Sequence, residues 1–230
     1  FYDFNDATNA AQANDLSGNA RHGTVEGGAV FTATAGGRTG LAGDRAMNFP
    51  NIGSNRVRVA SAATGALDSI TSADAVSVSA WIFGDATQPQ EDSLFYGDGT
   101  TGGTGTRVLH AHTPWSDSVV YWDCGGFNAG QRISISVPDA TKWKGRWNHY
   151  AFTKGNGALQ IWLNGALLTT STSAPGIGLL RSLHLGSAPW GQYGGKVDDF
   201  AVWNRALTAA EIGGLALGAS PLNLLGFSSS

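Results

Sequence analysis

The chain has 230 residues, 42% of them apolar, with 33 glycines and only 13% charged residues. That is enough apolar material for one large core and too little helix-forming material for a helical protein. A net charge of −3 without any basic run excludes general affinity for nucleic acid or an anionic membrane surface, and the single cysteine, Cys124, excludes an intrachain disulfide.

Taken in order, Phe1–Phe4 is a predicted short strand. The segment Asp15-Leu-Ser-Gly-Asn19, followed by His22, is a turn rich in side-chain oxygens. Such a cluster serves either as a solvated turn or as the start of a site for a hard cation such as calcium. Short strands are predicted over 22–25, 29–33, 46–49 and 55–59. Ala75–Phe83 (AVSVSAWIF) alternates with apolar bulk on both faces, as expected of a central strand. The glycine-rich stretch 97–106 is read as a loop. No Lys-Ser or Lys-Thr and no helix follow it, so it is not a nucleotide cradle.

Further strands are predicted over 107–112, 118–123, 132–137, 147–153 and 182–185. Asn164-Gly165 between two alternating runs marks a tight hairpin. The closing stretch KVDDFAVWNRALTAAEI (196–212) alternates Phe200 and Val202 with Ala201 and Trp203. Its Thr208 and Glu211 have capping-box spacing, which opens one short helix. If Phe200 and Val202 point inward, the period of two also turns Asp198 inward, where a carboxylate needs compensation. About a dozen short strands with glycine-rich turns predict an all-β domain of two antiparallel sheets packed face to face. No composition shift divides it. The domain is expected over 1–220, with 221–230 as a linker or tail.

The set FYDFND, DLSGNARHGTV, RAMNFP, AVSVSAWI, GRWNHYAFT, LQIWLNG and KVDDFAVWNRALTAAEI, in this order and spacing, resembles a bacterial laminin-G-like domain of the concanavalin A-like lectin and glucanase superfamily. The resemblance covers nearly the whole chain. It implies a jelly-roll β-sandwich and one structural calcium ion. The ligands it implies are Asp15, Asn19, a backbone carbonyl near His22, and Asp198 or Asp199. It also implies an exported module, extracellular or at the cell surface, cut from a longer protein and flanked by other domains.

Chemistry is expected in four places. His110 and His112 share one strand face and could begin a zinc site, but no third ligand is evident. With Trp115, Asp117, Tyr121, Trp122 and Asp123 they make the mixture of aromatic and polar groups that holds a sugar: a ring stacks on its apolar face and polar groups fix its hydroxyls. Trp190 and Tyr193, in the glycine-rich loop SAPWGQYGG, form either a rim packing or a binding platform. Trp147 is expected in the core, Trp143 is a candidate for exposure, and His149 is expected as a satisfied core histidine.

The functional expectation is a non-catalytic carbohydrate-binding module, with Trp190, Tyr193, Trp115, His112, Asp117 and Tyr121 contacting a polysaccharide or glycan. The alternative is a structural or adhesive spacer that binds protein. An enzyme is disfavoured. The three glutamates, Glu26, Glu91 and Glu211, are far apart in sequence, Asp117 and Asp123 form no spaced acid motif, and no nucleophile elbow is present. A lyase built from His110, His112, Tyr121 and Arg107 matches no known pattern.

Overall fold

A computed structural model describes residues 1–60, 67–99 and 107–224. The glycine-rich loop expected over 97–106 lies outside the described residues from 100 onward, as does the end of the tail from 225. Numbered along the chain, the strands are β1 (Gln12–Ala13), β2 (Gly23–Glu26), β3 (Val30–Phe31), β4 (Met47–Phe49), β5 (Arg56–Ala60) and β6 (Val76–Gly84). They continue with β7 (Phe95–Asp98), β8 (Arg107–His112), β9 (Val119–Cys124), β10 (Arg132–Ser136), β11 (Asn148–Gly155) and β12 (Ala158–Leu163). The last are β13 (Ala166–Thr172), β14 (Ser182–Leu185), β15 (Ser187–Ala188), β16 (Gly191–Gln192) and β17 (Gly195–Trp203). The helices are α1 (Asp68–Thr71) and α2 (Ala209–Ala216).

Two antiparallel sheets form the expected sandwich. One has eight strands in the order β1-β2-β5-β14-β7-β8-β9-β10, the other seven in the order β13-β12-β11-β6-β17-β4-β3. Period-two alternation sends Val57, Leu109, Trp122 and Leu183 of the first sheet against Val78, Ile82, Phe152 and Phe200 of the second. The hairpin at Asn164-Gly165 forms as read, with φ of 50° and 83°, the left-handed pair that a tight two-residue turn requires. Thr208 and Glu211 cap α2 reciprocally.

Several expectations change. Residues 1–4 make a single bridge, Tyr2 to Phe200, rather than a strand. Strands β1, β7, β15 and β16 and helix α1 were not foreseen; each is four residues or shorter, too brief for a periodicity to register. The two tryptophans of TKWKGRW exchange roles. Trp143 is buried and donates to the Val137 carbonyl over 2.9 Å, while Trp147 is half-buried, edge-on to Phe83 just before β11 begins.

The inward parity of Asp198 is also overturned. Asp199 has φ of +47°, and the pairing of β17 with β6 shifts between Asp198 and Ala201. The bulge lets Val197 and Phe200, three residues apart, both enter the core. Asp198 is therefore opposite Trp81 on the outer face of the seven-stranded sheet, covered by the loop that carries Arg38.

Candidate functional site

Alternation sends the other half of each strand of the eight-stranded sheet to its outer face. Register then lines up one continuous row across seven strands: Thr24, Arg58, His184, Tyr96, His110, Asp123 and Arg132, each the direct partner of the next. The row is polar; Tyr96, His110 and Asp123 at its middle are buried, while Arg58, His184 and Arg132 are half-buried and Thr24 is exposed. At the tip of the β15–β16 hairpin Trp190 stands edge-on to Tyr96 and His110, with ring centres 5.2 and 5.5 Å away, and remains 41% exposed.

Asp123 is the electrostatic anchor. It is fully buried and accepts from Arg132 Nε at 2.5 Å, Arg132 Nη2 at 2.8 Å and Arg107 Nη1. Burial alone would raise its pKa; the bonds from Arg132, then the His110 ring beside it, outweigh burial and hold it well below the carboxylate range. Each guanidinium is then set by rings. Arg107 lies between Trp190 and Phe127, 4.9 Å from either ring centre, and Arg132 lies 4.9 Å from Tyr121 and 5.8 Å from Phe127. The result is an alternating ladder, Trp190–Arg107–Phe127–Arg132–Tyr121, along the sheet.

Two hollows flank Trp190. The smaller, about 370 Å³, is lined by Arg107, His112, Trp115, Asp117, Tyr121, Arg132 and Trp190. The larger, about 740 Å³, runs over Arg56, Arg58, Tyr96, His184 and Gln192 to the other side of Trp190. Its floor is held by Glu26, which accepts from Arg56 and Arg58 over 2.6 and 2.7 Å.

Of the residues expected to contact a ligand, His112, Trp115, Asp117, Tyr121 and Trp190 converge on the smaller hollow. The Trp115 ring stands 4.5 Å from His112, and Tyr121 donates to Asp117 over 2.9 Å. Burial, then His110 beside it, pushes His112 down to about 2, so its ring is neutral at pH 7. Tyr193 does not join them. It is fully buried, just past the end of β16, three residues on from the exposed Trp190 at the tip. Phe127, 58% exposed at the edge of the ladder, was missed; an isolated phenylalanine in GGFNAG carries no periodic signal.

The third ligand absent from the zinc reading is Asp123, paired with His110 from the neighbouring strand. Among the described residues, His110, His112 and Asp123 are the one set of three whose ligand atoms come within 4.8 Å of one another. Two guanidiniums already saturate that carboxylate, and a cation there would face both of them. His149 is buried against Trp81 as expected, but its Nδ1 has no partner, so it is not satisfied as read.

The expected calcium ligands do not form one set. Asp15 accepts from the Phe1 nitrogen, Ser17 N, Ser17 Oγ and Arg21 N at 2.8–3.0 Å, His22 Nδ1 accepts from Asp15 N, and Asn19 bonds Ser17. The Asp15 carboxylate is thus engaged by four donors, three of them from its own turn. Asp198 instead accepts from Arg38 N and Asp199 N at 2.9 and 2.8 Å, and Asp199 pairs with Arg38 Nε at 2.6 Å. Burial, then the adjacent Asp199, pushes Asp198 up to about 8, and Asp44 repels both carboxylates. Asp198 and Asp199 thus share the Arg38 loop, while the bonds of Asp15 run to Phe1, Ser17 and Arg21.

A family described as the concanavalin A-like lectin/glucanases superfamily matches residues 53–213. No curated protein matches. Among solved structures, domain 4 of AbnA, a GH43 extracellular arabinanase from Geobacillus stearothermophilus, in complex with arabinotriose, superposes with TM-score 0.67 at 20% identity. That alignment covers 94% of this chain and 96% of the other. The binding domain of botulinum neurotoxin DC in complex with SialylT superposes with TM-score 0.62 at 16% identity, covering 98% of this chain and 53% of that one. The same toxin domain in complex with rat synaptotagmin II gives 0.65 at 17% identity, over 94% and 50%. The chain thus spans nearly all of the arabinanase domain and about half of the toxin domains. At these identities the likeness is one of fold.

Proposed function

Because the chain belongs to the concanavalin A-like lectin/glucanases superfamily, we propose that it is a non-catalytic carbohydrate-binding domain of an exported bacterial protein. The observation that carries this reading is Trp190, an exposed ring braced from below and standing between two hollows on one sheet face. A sugar ring presents an apolar C–H face that stacks on indole, while its hydroxyls need donors and acceptors at fixed positions. His112, Asp117 and the two guanidiniums supply these around the smaller hollow, and Trp115 and Tyr121 close its sides. The printed ligands of two superposing domains, arabinotriose and SialylT, support a glycan as the ligand class.

The same geometry argues against hydrolysis. Asp117 lines the hollow, but Asp123 lies under it, fully buried and clamped by two arginines. A carboxylate held ionised in that way cannot serve as the general acid of a glycosidase. A structural calcium belongs to the proposal in reduced form. Asp198 and Asp199 would hold it, and it would supply positive charge that Arg38 alone provides now.

A glycan array probed with the chain tests the reading. Retention on one class of oligosaccharide is expected, and an array without any bound glycan would refute it.

A further inference from the structure

The larger hollow beside Trp190 is built as a site in its own right. Its volume, about 740 Å³, falls in the range of about 300–1,000 Å³ usual for small-molecule sites. Two of the side chains that line it keep a buried polar atom without a hydrogen-bond partner: the Tyr96 hydroxyl and Gln192 Oε1. Tyr96 is 1% exposed, and burial, then the Asp98 charge, pushes its phenol up to about 12. The hydroxyl therefore keeps its proton and can donate, while the Gln192 oxygen can only accept. Sugar hydroxyls do both, so one ligand class answers both groups.

The indole points the same way. Trp190 lines both hollows, and on the side of the smaller one its ring already carries the Arg107 guanidinium, 4.9 Å from the ring centre. Arg107 lines the smaller hollow and not the larger. The ring surface open to a stacked sugar therefore lies toward the larger hollow, between Tyr96 on β7 and Gln192 on β16.

The charges over this face balance. Arg56 and Arg58 share Glu26, Arg181 lies 3.1 Å from Asp68, and Arg107 and Arg132 share Asp123. Glu91 and Asp98 line the larger hollow and Asp117 the smaller. His184, pushed down to about 4 mainly by burial, is neutral at pH 7. Hydrogen bonds are on offer here, and a surplus of positive charge is not.

We propose that the larger hollow is a second subsite, the one whose sugar stacks on Trp190, and that the ligand is an internal stretch of a neutral polysaccharide running from one hollow to the other across the hairpin tip. This rests on the glycan reading of the face and adds to it the length and the charge of the ligand.

Calorimetric titration with a length series of the strongest oligosaccharide class on the array, from disaccharide to hexasaccharide, decides it. Affinity should rise by about tenfold as the chain becomes long enough to fill both hollows, and should hold between low and high salt. Tyr96→Phe removes only a hydroxyl that has no partner in the protein, so it keeps the fold, and it should weaken the longer chains by about fivefold. Affinity independent of length, or wild-type affinity in Tyr96→Phe, overturns the second subsite while leaving glycan binding intact. A preference for uronate-bearing or sulfated chains, or a steep loss of affinity with salt, overturns the neutral ligand. If no oligosaccharide binds at any length, the glycan reading falls as well.

Discussion

At the scale of single residues, two carboxylates with opposite surroundings govern the electrostatics. Asp123 has two guanidiniums and is held ionised. Asp123→Asn leaves Arg107 and Arg132 without their countercharge and should cost about 3 kcal/mol, because breaking a buried pair exposes the desolvation of the remaining charge. Urea denaturation checks this, and a loss near zero would mean that the arginines find solvent instead. Asp198 has the opposite sign. Its pKa of about 8 in the folded chain lies above the ordinary 3.8, so the folded state holds a proton that the unfolded chain releases in acid. That contribution is complete below about pH 4 and is lost as the pH rises toward 8. The buried histidines act on the acid side: His110 and His184 are pushed down to about 4 and His149 to about 3, mainly by burial, and above their ordinary 6.5 they add no slope. Between pH 6.5 and 8 the chelator-treated chain should therefore lose stability, by about 2 kcal/mol from Asp198. Asp198→Asn should flatten it in part, and an unchanged slope would contradict the assignment.

At the scale of elements, the β15–β16 hairpin matters most to function. Two residues per strand cannot hold it in place, so it depends on what lies beneath. Gly191 passes so close to the loop before β7 that a Cβ there would meet the Glu91 carbonyl oxygen at 2.2 Å. Gly191→Ala should lift the hairpin and Trp190 with it, weakening glycan binding while the sandwich stays folded. Near-UV circular dichroism beside a binding titration separates the two effects, and full binding would show that the tip is not positioned by this contact. The elements also show what a sequence conceals. Strands of five or more residues, the Asn-Gly turn and the Thr208 capping box were legible because their signals are local. Asp198 was misplaced because one bulged residue, Asp199, reverses parity and leaves no mark in the alternation of Phe200 and Val202. Tyr193 was misread for a related reason: two aromatics three apart in a glycine-rich loop look equivalent until the hairpin turns one out and one in.

At the scale of the whole molecule, the sandwich topology joins residues that the chain keeps apart. The row from Thr24 to Arg132 exists because seven strands fall into register, and no pairwise spacing announces it. His112, Trp115, Asp117 and Tyr121 were legible as a site because they share one strand–turn–strand segment. Asp123 as the partner of His110, and Phe127 as a rung of the ladder, required the sheet. The calcium clasp expected between the first turn and the last strand is not drawn together by hydrogen bonds, for the converse reason. Two oxygen-rich motifs matched a ligand set in sequence, yet the Asp15 turn satisfies itself and Asp198 meets the Arg38 loop instead.

The central claim is that the outer face of the eight-stranded sheet binds a glycan through Trp190. Calorimetric titration of the wild-type chain and Trp190→Ala with the strongest oligosaccharide from the array tests it most directly. Binding that disappears in the variant, at an unchanged melting temperature, is the predicted result. Undiminished affinity in a folded Trp190→Ala chain would contradict the account.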